Sequence, residues 1–159
     1  MGQLRTDLTE EGYDSVQTYL QSGNVVLNSE IDDPERISRS VSDVITREYG
    51  VRTPVIVRSA EQMQAIAAWN PFPALAVTAP QLVHVLHLAH EPDSLASNTV
   101  LAADWDSDQL TINGLEVAIA YSESMHSSRL QHATLLRRLS VDGTARNWRT
   151  VLALAEMCE

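Results

Sequence analysis

A chain of 159 residues suits one domain, or two small halves around a shared interior, and 44% hydrophobic with 20% charged residues is a globular balance, not a disordered one. The net charge of -10 argues against nucleic acid as a general partner, because phosphate binding is driven by basic side chains. All 11 lysine-plus-arginine positions are arginine, which excludes Schiff-base and P-loop lysine chemistry, and the single cysteine, Cys158, excludes a disulfide framework and a cysteine-based zinc site.

The N-terminus has no charged-then-apolar leader pattern, and no stretch approaches the roughly 20 apolar residues of a membrane span. Met1-Gly2 with Thr6 fits the bare myristoylation pattern. Leu4 and Leu8, however, make the same residues the apolar stripe of a helix. The expectation is a soluble cytoplasmic protein without a cofactor.

Residues Gln3 to Glu11 read as a short helix stopped by Gly12. Val16 to Leu20 and Asn24 to Asn28 read as strands joined across Ser22-Gly23, where glycine supplies the positive φ of a tight hairpin. The polar side chains Gln21, Ser22 and Asn24 are then a hairpin tip and a secondary binding candidate. Asp33-Pro34 starts a second helix as cap and first residue, Ile37, Val41, Val44 and Ile45 share its apolar face, and Gly50 ends it. Thr53 to Arg58 is expected as a strand with Pro54 near its start. Ser59 with Gln62 forms a capping box for a third helix, which points Met63, Ile66 and Ala67 inward. Asn70-Pro71-Phe72-Pro73 closes that helix, because a residue before proline leaves helical geometry.

Ala74 to Pro80 reads as a connector between residues 1–73 and residues 74–159. The second half repeats the rhythm with a strand over Leu82 to Ala89, a helix near Asp93 to Asn98, and strands Gln109 to Ile112 and Leu115 to Tyr121 around Asn113-Gly114. Two helices follow, the first capped by Ser128 with Gln131, the second carrying a stripe of Trp148, Val151, Leu152 and Ala155. The element order is that of an α+β duplication of two ferredoxin-like halves, each short by one strand, in one compact unit.

Several patterns suggest chemistry. His84, His87 and His90 would share a face on a helix, as a metal site requires, but Val and Leu between prolines favour a strand, which sends His84 and His87 to opposite faces. No metal is expected. His126, Ser127, Ser128 and His132 lack a glycine-flanked serine elbow, so no hydrolase is read there. Asp104, Asp106 and Asp108 alternate but lack the glycine and glutamate of a calcium loop. The stretch from Ser127 to Thr150 holds five arginines against one acid, Asp142, in an otherwise acidic chain. Arg129, Arg137, Arg138, Arg146, Asn147 and Arg149 are therefore the candidate anion-binding residues, with Arg146 and Arg149 placed at the start of the final helix, where amides favour an anion and a cation breaks the dipole rule. Ion pairing with the chain's many carboxylates is the alternative.

The stretches TYLQSGNVVL, NPFP and GTARNWRTVLALAEM, in this order and spacing, resemble the bacterial family catalogued as domain of unknown function 1697. The resemblance implies the same duplicated α+β fold and no established activity. It also implies an apolar strand and a glycine-rich loop ahead of the first helix. Met1 to Arg5 matches the family's helix start, so the first half is expected to lack that central strand, with the natural start upstream or the chain short by nature. Asn24 to Asn28 and Thr53 to Arg58 must then pair directly, recruit another chain's edge, or pack poorly there.

Three functions follow from different classes. The first is a binding module holding a phosphate or carboxylate group on the C-terminal arginines. The second is an enzyme acting on a phosphorylated or carboxylated metabolite. The third is a self-associating protein that uses open sheet edges, as a homo-oligomer.

Overall fold

The computed structural model describes residues 1–21 and 23–159. Among these residues it holds seven α-helices and two antiparallel sheets, an α+β architecture. None of its helices is long and apolar enough to cross a membrane. Ser22, one of the three tip candidates, lies outside the described residues.

Helix α1 spans Gly2–Glu10, one residue earlier at each end than the apolar pattern predicts. Gly12 takes φ +105 just beyond it and its N–H returns to Thr9 O. Strands β1 (Asp14–Tyr19) and β2 (Asn24–Asn28) form a two-stranded hairpin, and Gly23 has the expected positive φ of 76°. Helix α2 (Pro34–Tyr49) is capped by the Asp33 carboxylate, which accepts from the N–H groups of Glu35 and Arg36, and ends on left-handed Gly50. Leu8, Tyr13, Val41 and Val44 make the core beneath the hairpin, with Ile37 and Ile45 at its margin.

The predicted strand Thr53 to Arg58 does not form: residues 51–59 belong to no ladder. Pro54 removes one donor, and β2 is not paired to this segment, so an apolar run has no strand to bond to. Helix α3 (Ala60–Trp69) carries both halves of the Ser59–Gln62 capping box and buries Met63 and Ile66. The connector read as loose holds a further short helix, α4 (Pro73–Thr78), started by Pro73 at its first position.

The larger sheet is ordered β4-β5-β3-β6, from β3 (Val83–Leu88), β4 (Gln109–Asn113), β5 (Glu116–Ala120) and β6 (Gly143–Asn147). Its chain order is β3, α5 (Ser94–Ala102), β4, β5, α6 (His132–Leu139), β6, and helix α7 (Trp148–Met157) follows. Strand alternation separates β3 into two faces. Leu86 and Leu88 meet Val100 of α5 and Leu135 and Leu139 of α6, while Val83 and Val85 meet Met63, Ile66, Trp148 and Val151. The central strand is thus covered on both sides.

Four expectations change in this half. Strand β6 supplies the strand that the second half was expected to lack; no strand was expected over GTARN because it is short, lacks apolar alternation and forms only against β3. Arg146 therefore stands on a strand, not at the helix start. Helix α6 is preceded by Gln131 with no side-chain cap, while Ser128 Oγ accepts from Leu130 N–H at 2.8 Å and donates to Asp108. Leu152 points to solvent, 45% exposed, whereas Trp148, Val151 and Ala155 of the same predicted stripe are buried.

Candidate functional site

A cleft of about 520 Å³ opens between β2 and residues 53–59. Its walls carry Val25, Leu27, Val55 and Val57, and Ile37 and Val41 of α2 line its inner side. Its polar residues include Asn24, Arg58, His87, Thr144 and Arg146. Of the six arginine-surface candidates, Arg146 alone borders it.

The position of Arg146 follows from β6. Gly143 begins this strand so close to β3 that an added Cβ would sit 2.7 Å from His87 O and 2.8 Å from a Leu136 methyl group. From that start, alternation sends Ala145 toward the core shared with α6 and places Thr144 and Arg146 on the cleft side. The guanidinium is half-buried and held in orientation. Its Nη1 donates to Thr144 Oγ1 at 2.5 Å and to Ala145 O at 2.8 Å, and its Nε donates to Asn24 Oδ1. Burial lowers its pKa, yet an arginine stays charged at neutral pH.

Asn24 supplies the other half of this contact. It is 5% exposed, and its Nδ2 donates to Tyr19 O at 2.9 Å, so the amide oxygen faces Arg146. One tip residue thus joins the hairpin to β6. Gln21 is exposed on the turn.

The remaining arginines stand elsewhere. Arg129 is exposed and lies 3.6 Å from the Asp106 carboxylate. Arg138 stacks 4.8 Å over the Trp105 ring. Arg137 borders a shallower depression with Asp142 and His90. Arg149 is exposed in the first turn of α7, and Asn147 caps that helix by accepting from Thr150 N–H at 3.1 Å. The six share neither cavity.

A buried charged cluster at the cleft escaped the sequence reading. Arg58 Nε donates to Glu116 Oε1 at 2.6 Å, and its Nη2 donates to Leu88 O at 2.7 Å and Leu115 O at 3.2 Å. The second carboxylate oxygen meets His87 Nδ1 at 2.6 Å. An arginine directly before a helix cap, at the end of an apolar run, was the available signal.

The other motifs resolve as structure. His84 and His87 face opposite sides of β3, as the strand reading requires: His84 meets Tyr121 and His132, and His87 meets Glu116. Asp108 accepts from Ser122 and Ser128; burial works to raise its pKa, but these hydrogen bonds outweigh it and hold the carboxyl below its usual value. No group of three or more potential metal ligands occurs among the described residues.

In fold, the chain is similar to the conserved bacterial protein SP0830 from Streptococcus pneumoniae, with a TM-score of 0.76, 22% identity, and coverage of 99% of this chain and 88% of that one. Comparison with curated proteins finds no match. The sequence pattern of the family described as "Protein of unknown function (DUF1697)" matches residues 1–117. The chain belongs to that family.

Proposed function

We propose that this protein is a binding module, built from two ferredoxin-like halves, that holds a phosphate or carboxylate group at the Arg146 end of the cleft. The halves are read from chain order: β3, α5, β4, β5, α6 and β6 run β-α-β-β-α-β, and α1, β1, β2 and α2 repeat its middle. One observation carries the binding reading. Arg146 is half-buried on a strand, donates to oxygens of Asn24, Thr144 and Ala145, and lines the cleft. Such preorganisation favours an anion, because neither the strand nor the side chain must be ordered on binding. The exposed Arg129, Arg137, Arg138 and Arg149 have no comparable setting and serve solubility and local pairing.

The test compares thermal unfolding in phosphate, sulfate and chloride at equal ionic strength. A ligand of the native state raises its stability by mass action. Phosphate or sulfate is expected to raise the melting temperature above chloride, Arg146→Ala to abolish the difference, and Arg149→Ala to retain it. An anion response that survives in Arg146→Ala overturns the reading.

A second reading, an enzyme on a phosphorylated or carboxylated metabolite, draws support from the His87–Glu116 pair. His87 borders the same cleft, and an imidazole oriented by a carboxylate is a common general base. Screening phosphorylated metabolites for turnover that is lost in His87→Asn, with the anion response kept, would establish it.

A further inference from the structure

His84 on β3 and His132, the first residue of α6, are 48 positions apart in the chain and meet ring to ring. The histidines that follow one another along β3 do not converge, and His84 finds its partner on a helix instead. Neither His84 nor His132 lines the cleft, and His84 stands on the face of β3 opposite His87. Both come from elements that the core holds in place. Val83 and Val85 beside His84 are fully buried in the central strand, and Leu135, one turn along α6 from His132, is buried as well.

The hydrogen bonds fix where the ring protons are. Gln81 O can only accept, so His84 Nε2, 3.2 Å away, carries the proton of the neutral ring and leaves a bare lone pair on Nδ1. His132 Nε2 lies 3.2 Å from that lone pair and donates to it. Burial lowers the pKa of both rings below 6.5, so the neutral forms prevail at pH 7. A ring N–H tied to a backbone carbonyl is the arrangement that orients a metal-ligating histidine. The spacing agrees. Two imidazole nitrogens about 2.0–2.1 Å from one tetrahedral ion stand roughly 3.3–3.4 Å apart. Tyr121 closes one side of the pair: its ring meets His84 edge-on at 5.2 Å, and its hydroxyl donates to Leu130 O.

We propose that His84 Nδ1 and His132 Nε2 together bind a divalent transition ion of the zinc type. Imidazole suits such ions, whereas magnesium and calcium take oxygen ligands. No third histidine, cysteine or carboxylate joins the pair among the described residues, so water completes the coordination. The ion replaces the proton that lies between the two rings. Binding breaks their hydrogen bond and moves the His132 proton from Nε2 to Nδ1, so no net proton is released. The bound ion clamps the start of α6 to the central strand. The inference goes beyond anion binding at Arg146 and is independent of it.

The test titrates the 159-residue chain with zinc, and with magnesium as the control, in a buffer free of phosphate. The imidazole nitrogen resonances at pH 7 report which atoms are bound. One equivalent of zinc is expected to shift His84 Nδ1 and His132 Nε2, to leave His84 Nε2 protonated, and to leave His90 and His126 unmoved. Zinc is expected to raise the melting temperature and magnesium to leave it unchanged. His84→Gln and His132→Gln are each expected to weaken zinc binding about tenfold or more, and His126→Gln to leave it as it was. No binding up to about 1 mM zinc overturns the proposal. Zinc on other histidines overturns it too, and so does undiminished binding in either variant. Should a variant fail to fold, the nitrogen shifts in the unaltered chain decide.

Discussion

Replacing Arg58 with methionine tests how the wall of the cleft is held. The arginine and Glu116 side chains are each 8% exposed, and the bond between them is 2.6 Å long. The substitution removes this bond and the donors to Val57 O, Leu88 O and Leu115 O, and leaves Glu116 with His87 alone. Breaking a buried pair by removing one partner costs about 3–5 kcal/mol, more than the packing value of the methionine returns. Removing both charges strands neither, so Arg58→Met/Glu116→Gln is expected to cost less than the two single changes added, with a coupling of about 1–3 kcal/mol. Urea unfolding at pH 7, followed by far-UV circular dichroism, measures all four corners of the cycle. A loss below about 0.5 kcal/mol in Arg58→Met, or additive single changes, would refute the buried-network reasoning.

Trp148→Ala is expected to lose about 3–5 kcal/mol in the same assay, since the indole is 2% exposed between β3 and α3. Gly143→Ala should cost about 1–3 kcal/mol through the clash with His87 O, read as a lower melting temperature; a neutral result would mean that β6 has room to shift. His84 and His132 face each other 3.2 Å apart; burial first, then the neighbouring imidazole, lowers His132 from 6.5 to about 4, and burial lowers His84. Both folded pKa values lie below the unfolded value, so the unfolded chain binds more protons and stability falls as pH drops from about 6.5 toward about 4. Each proton contributes at most about 1.4 kcal/mol per pH unit, reduced here because both rings stay partly open to solvent. Urea midpoints across that range should flatten in His84→Gln/His132→Gln, and an unchanged slope would assign it to carboxylates.

Local signals were the legible part of the fold. Asp33-Pro34, Ser59 with Gln62, Gly50 and Asn113-Gly114 each fix backbone geometry within a few residues, and each stands where the sequence placed it. Elements that depend on distant partners were not legible. GTARN becomes a strand only because β3 lies beside it, and VIVR fails to become one because β2 is bonded on its far edge alone. The same distinction governs the site. Five arginines close in sequence scatter over different surroundings, while Asn24 and Arg146, 122 positions apart, meet. Of the described polar tip candidates, Gln21 is exposed on the turn and Asn24 lines the cleft.

The most direct measurement follows the arginine Nε–Hε resonances during titration with phosphate at constant ionic strength. With 11 arginines and no lysine the spectrum is small enough to assign by single substitutions. The account predicts a saturable shift of Arg146 at phosphate concentrations that leave Arg129, Arg137, Arg138 and Arg149 unmoved. Weak, non-saturating shifts shared by the exposed arginines, with Arg146 unchanged, would contradict it.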